Sequence, residues 1–327
     1  MTLPFFWPTT IVVIDDDEEI LEILSTYLND APYNFKFFQN PNEAVSFIKE
    51  SNNIDNCRYI RNVDQSEYNF QYQEKRISVN LNKLYEEIYN PDRFSIVSCI
   101  LVDYNMPGMS GLDFIKEIDQ YTSAKKVLLT AYLGYEAAID LKGELIDDYI
   151  QKSHDAHLFD KVRKTIDRNV SKFFEKISYP VSLAVKLDHE VSAIDDIMFE
   201  QFFNNLCKER NIIEYYLIED IGCYLLFDRT YSAFILHVEI KERLDASIQE
   251  YTNSIPSDKL RLLVDYKYLV CAYKKLQFYY PDSNDVLNYI FPAIKIQGVR
   301  DYYVTLYEYT NLDAANKPIP FPRVRSN

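Results

Sequence analysis

Two runs of apolar residues end in aspartates whose side chains could hold a metal ion. The β-prone run 11–14 is followed by Asp15 and Asp16, and the run 98–102 is followed by Asp103. A continuous apolar run is typical of a buried parallel strand, and ligands of open α/β sheets bind beyond the carboxyl ends of such strands. Adjacent carboxylates there offer oxygen ligands to a hard cation such as Mg²⁺. The alternative for Asp15 and Asp16 is an acidic first turn of the following helix, which the helix dipole would favour.

Two further predicted strands end in side chains that complement these carboxylates. The run 126–131 has the hydroxyl of Thr130 near its end, and the run 148–152 ends in the ammonium of Lys152. Because the carboxyl ends of parallel strands meet at one edge of a sheet, we expect the aspartates, the threonine and the lysine to lie together. This combination of residue types at four strand ends favours a reaction site over a solvated helix start.

These segments resemble the receiver domain of two-component response regulators. The matching motifs are Val-Ile-Asp-Asp at 13–16, the run 101–111 around Asp103, Leu-Thr-Ala at 129–131 and Tyr-Ile-Gln-Lys at 149–152. The resemblance covers roughly the first half of the chain. It implies an α/β, flavodoxin-like fold with a parallel sheet of order 2-1-3-4-5.

The resemblance also implies a role for each residue of the site. Asp103 would be the phosphoacceptor that attacks a histidine-bound phosphoryl group. Asp16 would bind Mg²⁺ directly and Asp15 through water, while Asp103 and the backbone carbonyl of Asn105 would complete the protein ligands. Transfer of this kind depends on positioning and charge neutralisation more than on covalent chemistry by the protein.

Three residues would respond to the phosphoryl group in a protein of this type. Lys152 would pair with the phosphoryl oxygens, and Thr130 would move to hydrogen-bond them. Tyr149 matches the aromatic residue that changes rotamer on activation. The donor would be a sensor histidine kinase or a phosphotransfer protein.

The chain departs from the family pattern at two places. Ser153 follows Lys152 where the family usually has a proline, so the loop after the fifth strand is expected to differ. Asp103 follows Asp16 at about twice the usual separation, which indicates an insertion at about 51–94. Its first part is polar and predicts loop, whereas its second part predicts an amphipathic helix from the spacing of Leu81, Leu84, Tyr85 and Ile88. Local packing and a partner site are both open for this helix.

Composition limits the remaining possibilities. The 327 residues are 47% hydrophobic and 15% aromatic, which predicts two globular domains. Net charge is −15, and residues 178–327 hold 16 Lys+Arg against 21 Asp+Glu, which argues against DNA binding.

No apolar run approaches the ~20 residues of a membrane span. The first residues predict an extended arm over the receiver, not a signal peptide. Five cysteines without a CxxC pair fit free thiols in the cytoplasm.

We predict a receiver domain over 1–177, with the insertion at about 51–94, and an α+β output domain over 178–327. Three β-rich runs between 213 and 238 predict an antiparallel meander, flanked by a strand at 181–187 and helices from 195, 241 and 257. A helix with the stripe Leu158, Val162, Ile166 and Val170 should connect the domains. In the output domain no motif identifies catalytic residues. Its paired acids and His237 fit turns, helix starts and a buried strand better than a metal site.

The segments 86–91 and 215–228 also resemble the Lqs type of quorum-sensing response regulator of Legionella, which has an atypical output domain. The sequence therefore predicts a response regulator that signals through a homodimer or a protein partner. The alternative is an output domain that binds a nucleotide or acts on one. The resemblance does not identify the kinase, the downstream partner or the output ligand.

Overall fold

The computed structural model describes residues 1–51, 60–62, 77–130, 145–152, 157–188, 192–253, 255–274, 276–279, 281–282, 285–310, 312 and 317–322. Ser153, where the family usually has proline, lies outside these residues, as does most of the polar part of the insertion. The strands are β1 (Phe5–Phe6), β2 (Thr10–Ile14), β3 (Asn34–Phe38), β4 (Ile60–Asn62), β5 (Ile77–Val79), β6 (Val97–Asp103), β7 (Lys125–Thr130), β8 (Asp148–Gln151), β9 (Ile212–Glu219), β10 (Cys223–Asp228), β11 (Ala233–Ile240), β12 (Tyr268–Val270), β13 (Tyr273–Lys274), β14 (Gln277–Phe278), β15 (Ile290–Pro292), β16 (Ile294–Gln297) and β17 (Asp301–Glu308). The helices are α1 (Glu18–Leu28), α2 (Pro41–Ser51), α3 (Leu81–Tyr85), α4 (Gly111–Ile118), α5 (Leu158–Asp188), α6 (Ile197–Glu209), α7 (Lys241–Tyr251) and α8 (Ser257–Val264).

The chain divides into two compact units. One unit comprises Trp7–Cys57, Pro91–Ile177 and Phe321–Asn327, and the other comprises Met1–Phe6, Arg58–Asn90 and Ser178–Pro320. This division differs from two linear domains over 1–177 and 178–327, because the first residues and part of the insertion group with the second half.

The first unit is built on a parallel sheet with the order β3-β2-β6-β7-β8. Every residue of β2 and β6 is buried, as their continuous apolar sequences predict. Numbered along the chain, these strands have the order 2-1-3-4-5, so the predicted flavodoxin-like fold is confirmed. The core on one face of the sheet includes Val12, Ile100, Val102, Phe114 and Leu128.

The second unit is α+β, and its largest sheet has the order β1-β9-β10-β11-β17-β16. All of its pairings are antiparallel, and β9, β10 and β11 form the predicted meander. Its edge strand β1 comes from the N-terminus, where Phe5 and Phe6 pair with Tyr216 and Tyr215. The expectation that the first residues form an arm over the receiver was wrong, since pairing with β9 satisfies backbone groups that an arm would leave to water.

The second part of the insertion is helical over the predicted positions. Asn80 caps α3, a 3-10 turn follows over Glu86–Tyr89, and Leu84 and Ile88 are fully buried. The cap explains the start of the helix, because the Asn80 side chain accepts hydrogen bonds from the backbone N–H groups of Asn82 and Lys83.

The strand predicted at 181–187 is absent, since α5 continues as helix through Pro180 to Asp188. The burial of Val181, Ala184 and Val185 has helical spacing, and the predicted stripe at Val162, Ile166 and Val170 is also buried. Proline removes one backbone donor from a helix but does not always end it. The division between the two units falls inside α5, between Ile177 and Ser178.

Candidate functional site

The predicted acidic residues meet at the carboxyl edge of the parallel sheet. Asp15, Asp16 and Asp103 each offer a carboxylate oxygen, and these atoms lie within 4.8 Å of one another. Asp15 directly follows β2, and Asp103 is the last residue of the neighbouring strand β6. Asp15 and Asp103 are only 1% and 6% exposed, whereas Asp16 is not buried. Three clustered carboxylates with one accessible member form a donor set that fits a hard divalent cation.

Lys152 links the two buried aspartates. Its Nζ lies 2.7 Å from Asp15 Oδ2 and 2.6 Å from Asp103 Oδ1. The backbone N–H of Lys152 donates to the carbonyl of Thr130, 2.7 Å away, which continues the pairing of β7 and β8 beyond the end of β8. The lysine is thus positioned by the sheet itself and does not depend on a loop for its reach.

Burial and ion pairing act against each other in this cluster. Burial raises the pKa of Asp15, and the hydrogen bond and positive charge of Lys152 counteract that rise. Burial also opposes the charged form of Lys152, but hydrogen bonds to Asp103 and Asp15 outweigh it and raise the pKa of the lysine. Lys152 therefore stays protonated and supplies a fixed positive charge beside Asp103.

The loop after Asp103 fixes the second oxygen of its carboxylate. The backbone N–H of Asn105 donates to Asp103 Oδ2 at 2.9 Å, so both carboxylate oxygens have partners. The loop closes where the N–H of Gly111 donates to the carbonyl of Tyr104 at 2.9 Å, and α4 begins there with Ser110 as its cap.

Gly111 is a functional position that sequence analysis did not single out. A Cβ at this position would overlap the backbone oxygen of Asp103 and would lie 3.0 Å from its carbonyl carbon. Only glycine permits this approach of α4 to the backbone of Asp103. No residue type or spacing in the sequence indicates this contact, because it depends on how close α4 comes to the backbone of Asp103 in the fold.

The remaining predicted residues lie around this edge. Thr130 ends β7 and is 1% exposed, and Asn105 is exposed beside Asp103. Tyr149 lies in β8 opposite Leu128 and is half-buried against the core. The segment 131–144, which connects Thr130 to the region of β8, lies outside the described residues.

No second site of this kind occurs in the described residues of the other unit, where no three acidic, histidine or cysteine side chains cluster closely enough to hold a metal ion. Asp196 caps α6, accepting from the N–H groups of Met198 and Phe199, and it also accepts from the N–H of Val299 at 2.6 Å. His237 is fully buried in β11, as predicted for a histidine in an apolar strand.

Comparison with known proteins agrees with this geometry. The sequence model of the response regulator receiver domain matches residues 71–163, a range that includes Asp103, Thr130 and Lys152 but starts after Asp15 and Asp16. The chain contains a response regulator receiver domain. No curated protein sequence matches the chain.

Solved structures extend the comparison of the fold to both units. The response regulator LqsR of Legionella pneumophila is 24% identical with a TM-score of 0.74, and the match covers 94% of this chain and 89% of that chain. The receiver domain of a putative Luxo repressor protein from Vibrio parahaemolyticus is 16% identical with a TM-score of 0.35, over 51% of this chain and 92% of that one. The response regulator TrrA of Thermotoga maritima, in complex with Mg²⁺ and BeF, is 23% identical with a TM-score of 0.32. The match covers 49% of this chain and 98% of that chain. Within the described residues, none of the helices is long and apolar enough to cross a membrane.

Proposed function

We propose that this protein is a response regulator that accepts a phosphoryl group on Asp103 from a sensor histidine kinase or a phosphotransfer protein. The observation that carries the proposal is the position of Lys152, whose ammonium lies 2.6 Å from Asp103 and 2.7 Å from Asp15. A lysine held between two buried carboxylates at the edge of a parallel sheet is suited to stabilise an added phosphoryl group.

In the proposed reaction a carboxylate oxygen of Asp103 attacks the phosphorus of a phosphohistidine. The new O–P bond makes an acyl phosphate, while the P–N bond breaks and its electron pair returns to the imidazole of the donor. The N–H of Asn105 and the ammonium of Lys152 hold the two oxygens of Asp103 in place, which limits the orientations of the nucleophile. Lys152 then offsets the negative charge that the phosphoryl oxygens bring.

The carboxylates of the site fit Mg²⁺ as cofactor. Asp16 and Asp103 would bind the ion directly, Asp15 would bind it through water, and the carbonyl of Asn105 would add a further oxygen. When bound, the ion would neutralise charge on the phosphoryl oxygens. Asp15 would keep its hydrogen bond to Lys152, so this aspartate both positions the lysine and supports the metal site.

The proposed output is a change in association with a second copy or with a protein partner. Thr130 lies beside Lys152 through their backbone hydrogen bond, and Tyr149 packs half-buried on the adjacent strand, so both can respond to a group on Asp103. The excess of acidic residues after 178 argues against DNA as the target. The resemblance to the Lqs type extends the proposal to quorum sensing.

The test is phosphorylation of the full chain by acetyl phosphate with Mg²⁺, followed by intact mass measurement. We expect one added phosphoryl group, and we expect Asp103→Asn to remove it. Asp113→Asn is the matched control, because this exposed aspartate lies in the first turn of α4, outside the carboxylate cluster. Asp16→Ala should remove the dependence on Mg²⁺. Labelling of Asp103→Asn equal to that of the unmodified chain would overturn the assignment.

A further inference from the structure

Two short segments lead the chain from the second unit into neighbouring strands of the receiver sheet. The chain passes from the second unit to the first after Phe6 and again after Asn90. We refer to residues 7–10 and 91–98 as the entry segments. The first runs into the start of β2 and the second into the start of β6. These are the two strands whose carboxyl ends carry the buried aspartates of the site, so both site strands are joined closely along the chain to the second unit.

Hydrogen bonds join the two entry segments to each other. The hydroxyls of Thr9 and Ser98 share a hydrogen bond of 2.6 Å, and both side chains are fully buried. The hydroxyl of Thr10 donates to the carbonyl of Phe94 at 2.8 Å, and its N–H donates to the carbonyl of Ile96 at 2.8 Å. Bonds through buried side chains add to the strand pairing, so the entry segments are held as one piece.

The first entry segment also carries Trp7, the single tryptophan of the chain. Its indole N–H donates to the carbonyl of Arg93 at 3.1 Å, and its ring meets that of Phe174 edge-on with centroids 5.2 Å apart. Trp7 is 3% exposed, and Arg93 is fully buried. Because indole emission depends on the surroundings of the ring, Trp7 reports directly on the state of the joined entry segments.

The strands between the entry segments and the site are rigid. Every residue of β2 and β6 is buried, and the two strands pair from Ile11 opposite Cys99 to Ile14 opposite Val102. At ~3.3 Å per residue, the seven residues of β6 span about 20 Å. Close-packed interiors transmit a displacement and do not absorb it. A shift at the carboxyl ends of these strands therefore reaches their amino ends.

We propose that the joined entry segments carry the phosphorylation signal from the receiver site to the second unit. The inference rests on the proposed function, since it takes Asp103 as the phosphoacceptor. The hydrogen bond between Thr9 and Ser98 makes β2 and β6 move together at their amino ends. The second unit receives this movement through β1, which directly precedes the first entry segment and pairs with β9. Such coupling is a difference in free energy between two states of the entry segments, and it acts in both directions.

The first test is the fluorescence of Trp7 in the full chain during titration with beryllium fluoride and Mg²⁺. We expect a saturable shift of the emission maximum, and we expect Asp103→Asn to remove it. If acetyl phosphate does not label Asp103, the proposed function itself is wrong. If Asp103 is labelled while the emission of Trp7 stays unchanged, the proposed function stands and the inference about the entry segments is overturned.

The second test is hydrogen exchange of the full chain with and without beryllium fluoride and Mg²⁺. In wild-type protein the mimic should slow exchange in β1 and β9 about fivefold or more, the lower end of typical coupling between two sites. The double variant Thr9→Val with Ser98→Ala removes both partners of the buried hydrogen bond, which is nearly neutral for folding. It should keep the labelling of Asp103 and lose the response of β1 and β9. A full response in this variant would overturn the proposal.

Ser51→Ala is the matched control. Its hydroxyl belongs to the same unit but donates to the carbonyl of Phe47 within α2, at 2.7 Å, and joins no two segments. This variant should respond as wild type does, and loss of the response here would count against a specific role of the entry segments. Ser98→Ala alone is the milder variant should the double variant not fold, and it should weaken the response. Thr9→Ser keeps the hydroxyl and should retain the response. Circular dichroism verifies that each variant is folded.

Discussion

The backbone of Gly111 packs directly on the carbonyl of Asp103, the proposed phosphoacceptor. A Cβ at this glycine would overlap the Asp103 oxygen and lie 3.0 Å from its carbon, and the atoms it meets are backbone, which cannot rotate away. The contact sets where α4 starts and thereby sets the loop that holds Asn105 against Asp103.

We predict that Gly111→Ala displaces α4 from Asp103. The substitution should lower the free energy of unfolding by about 2–4 kcal/mol, because an overpacked position forces the backbone to shift. It should also slow phosphorylation of Asp103. Urea denaturation and intact mass labelling measure the two effects.

Gly108→Ala is the matched control for this prediction. Gly108 has φ +80° but a Cβ there would meet no atom within 4 Å. Gly108→Ala should lower the free energy of unfolding by about 1 kcal/mol, because alanine is strained at a positive φ and no further clash is added. Equal costs for the two variants would show that the contact with Asp103 has no energetic importance.

Lys152→Met should destabilise the receiver and make it more dependent on magnesium. Without the ammonium, the carboxylates of Asp15 and Asp103 face each other in a buried site. We expect a loss of about 3 kcal/mol in the free energy of unfolding, because one partner of a buried ion pair is removed. Millimolar Mg²⁺ should restore part of it by binding the folded state. Denaturation with and without Mg²⁺ provides the measurement.

Lys125→Met offers a close comparison. Lys125 is 18% exposed against 21% for Lys152, but its partner Asp147 is 29% exposed, whereas Asp15 is 1% exposed. Lys125→Met should therefore lower the free energy of unfolding by less than about 1 kcal/mol, and Mg²⁺ should not change this value. A Lys152→Met variant as stable as wild type without Mg²⁺ would contradict the proposed charge balance of the site.

Phosphorylation should strengthen a homodimer through the face that carries Tyr149. A group on Asp103 that draws Thr130 inward would let the half-buried tyrosine ring pack more deeply, which is worth about 1–3 kcal/mol. Beryllium fluoride with Mg²⁺ should therefore raise the association constant about ten- to a hundredfold in sedimentation equilibrium. Asp103→Asn is the control, and Tyr149→Ala should reduce the response. Identical association constants with and without the mimic would exclude this output.

The receiver site was predictable because its residues follow from local rules. Each buried strand is a continuous apolar run, and its end places Asp15, Asp103 or Lys152 at one edge of a parallel sheet. The helical continuation through Pro180 was missed, since the proline favoured a boundary over the helical spacing of Val181, Ala184 and Val185.

Other features depend on contacts between distant parts of the chain. The pairing of Phe5 with Tyr216 joins residues that no local pattern connects, because a two-residue edge strand has no periodicity of its own. Glu239 is a similar case. It lines a small cavity that also includes side chains of α7, α8, β12 and β14, and this cavity forms only where those elements pack over β11.

The N-terminal strand should stabilise the second unit. Phe5 is fully buried and pairs with Tyr216, and the nearby carbonyl of Leu3 accepts from the hydroxyl of Tyr224 at 3.2 Å. Phe5→Ala should lower the free energy of unfolding of the second unit by about 3–5 kcal/mol, as expected for loss of a buried aromatic ring. Hydrogen exchange should show lost protection in β9 and β10 but not in β2 and β6. Phe6→Ala, at a partly buried position, should lower the free energy of unfolding by less. Loss of protection confined to β2 and β6 would contradict the prediction that the N-terminal strand stabilises the second unit.

His237 and Glu239 should give the second unit opposing responses to pH. Burial lowers the pKa of His237 to about 3, so the unfolded chain binds the extra proton and the contribution of His237 to stability falls as pH drops from about 6.5 toward 3. Burial raises the pKa of Glu239 to about 7, so the folded chain binds the extra proton and its contribution falls as pH rises from about 4.5 through 7. Each contribution changes by at most about 1.4 kcal/mol per pH unit.

In wild-type protein the two contributions should largely cancel between about pH 4.5 and 6.5, where both windows overlap. Glu239→Gln leaves the histidine contribution, so the variant should lose stability relative to wild type as the solution is acidified. His237→Asn leaves the glutamate contribution, so this variant should gain stability relative to wild type over the same range. Urea denaturation at several pH values measures both differences, and Glu242→Gln, on the exposed first turn of α7, controls for the loss of one negative charge. Variants whose differences from wild type run in the same direction would show that the two buried groups do not oppose each other.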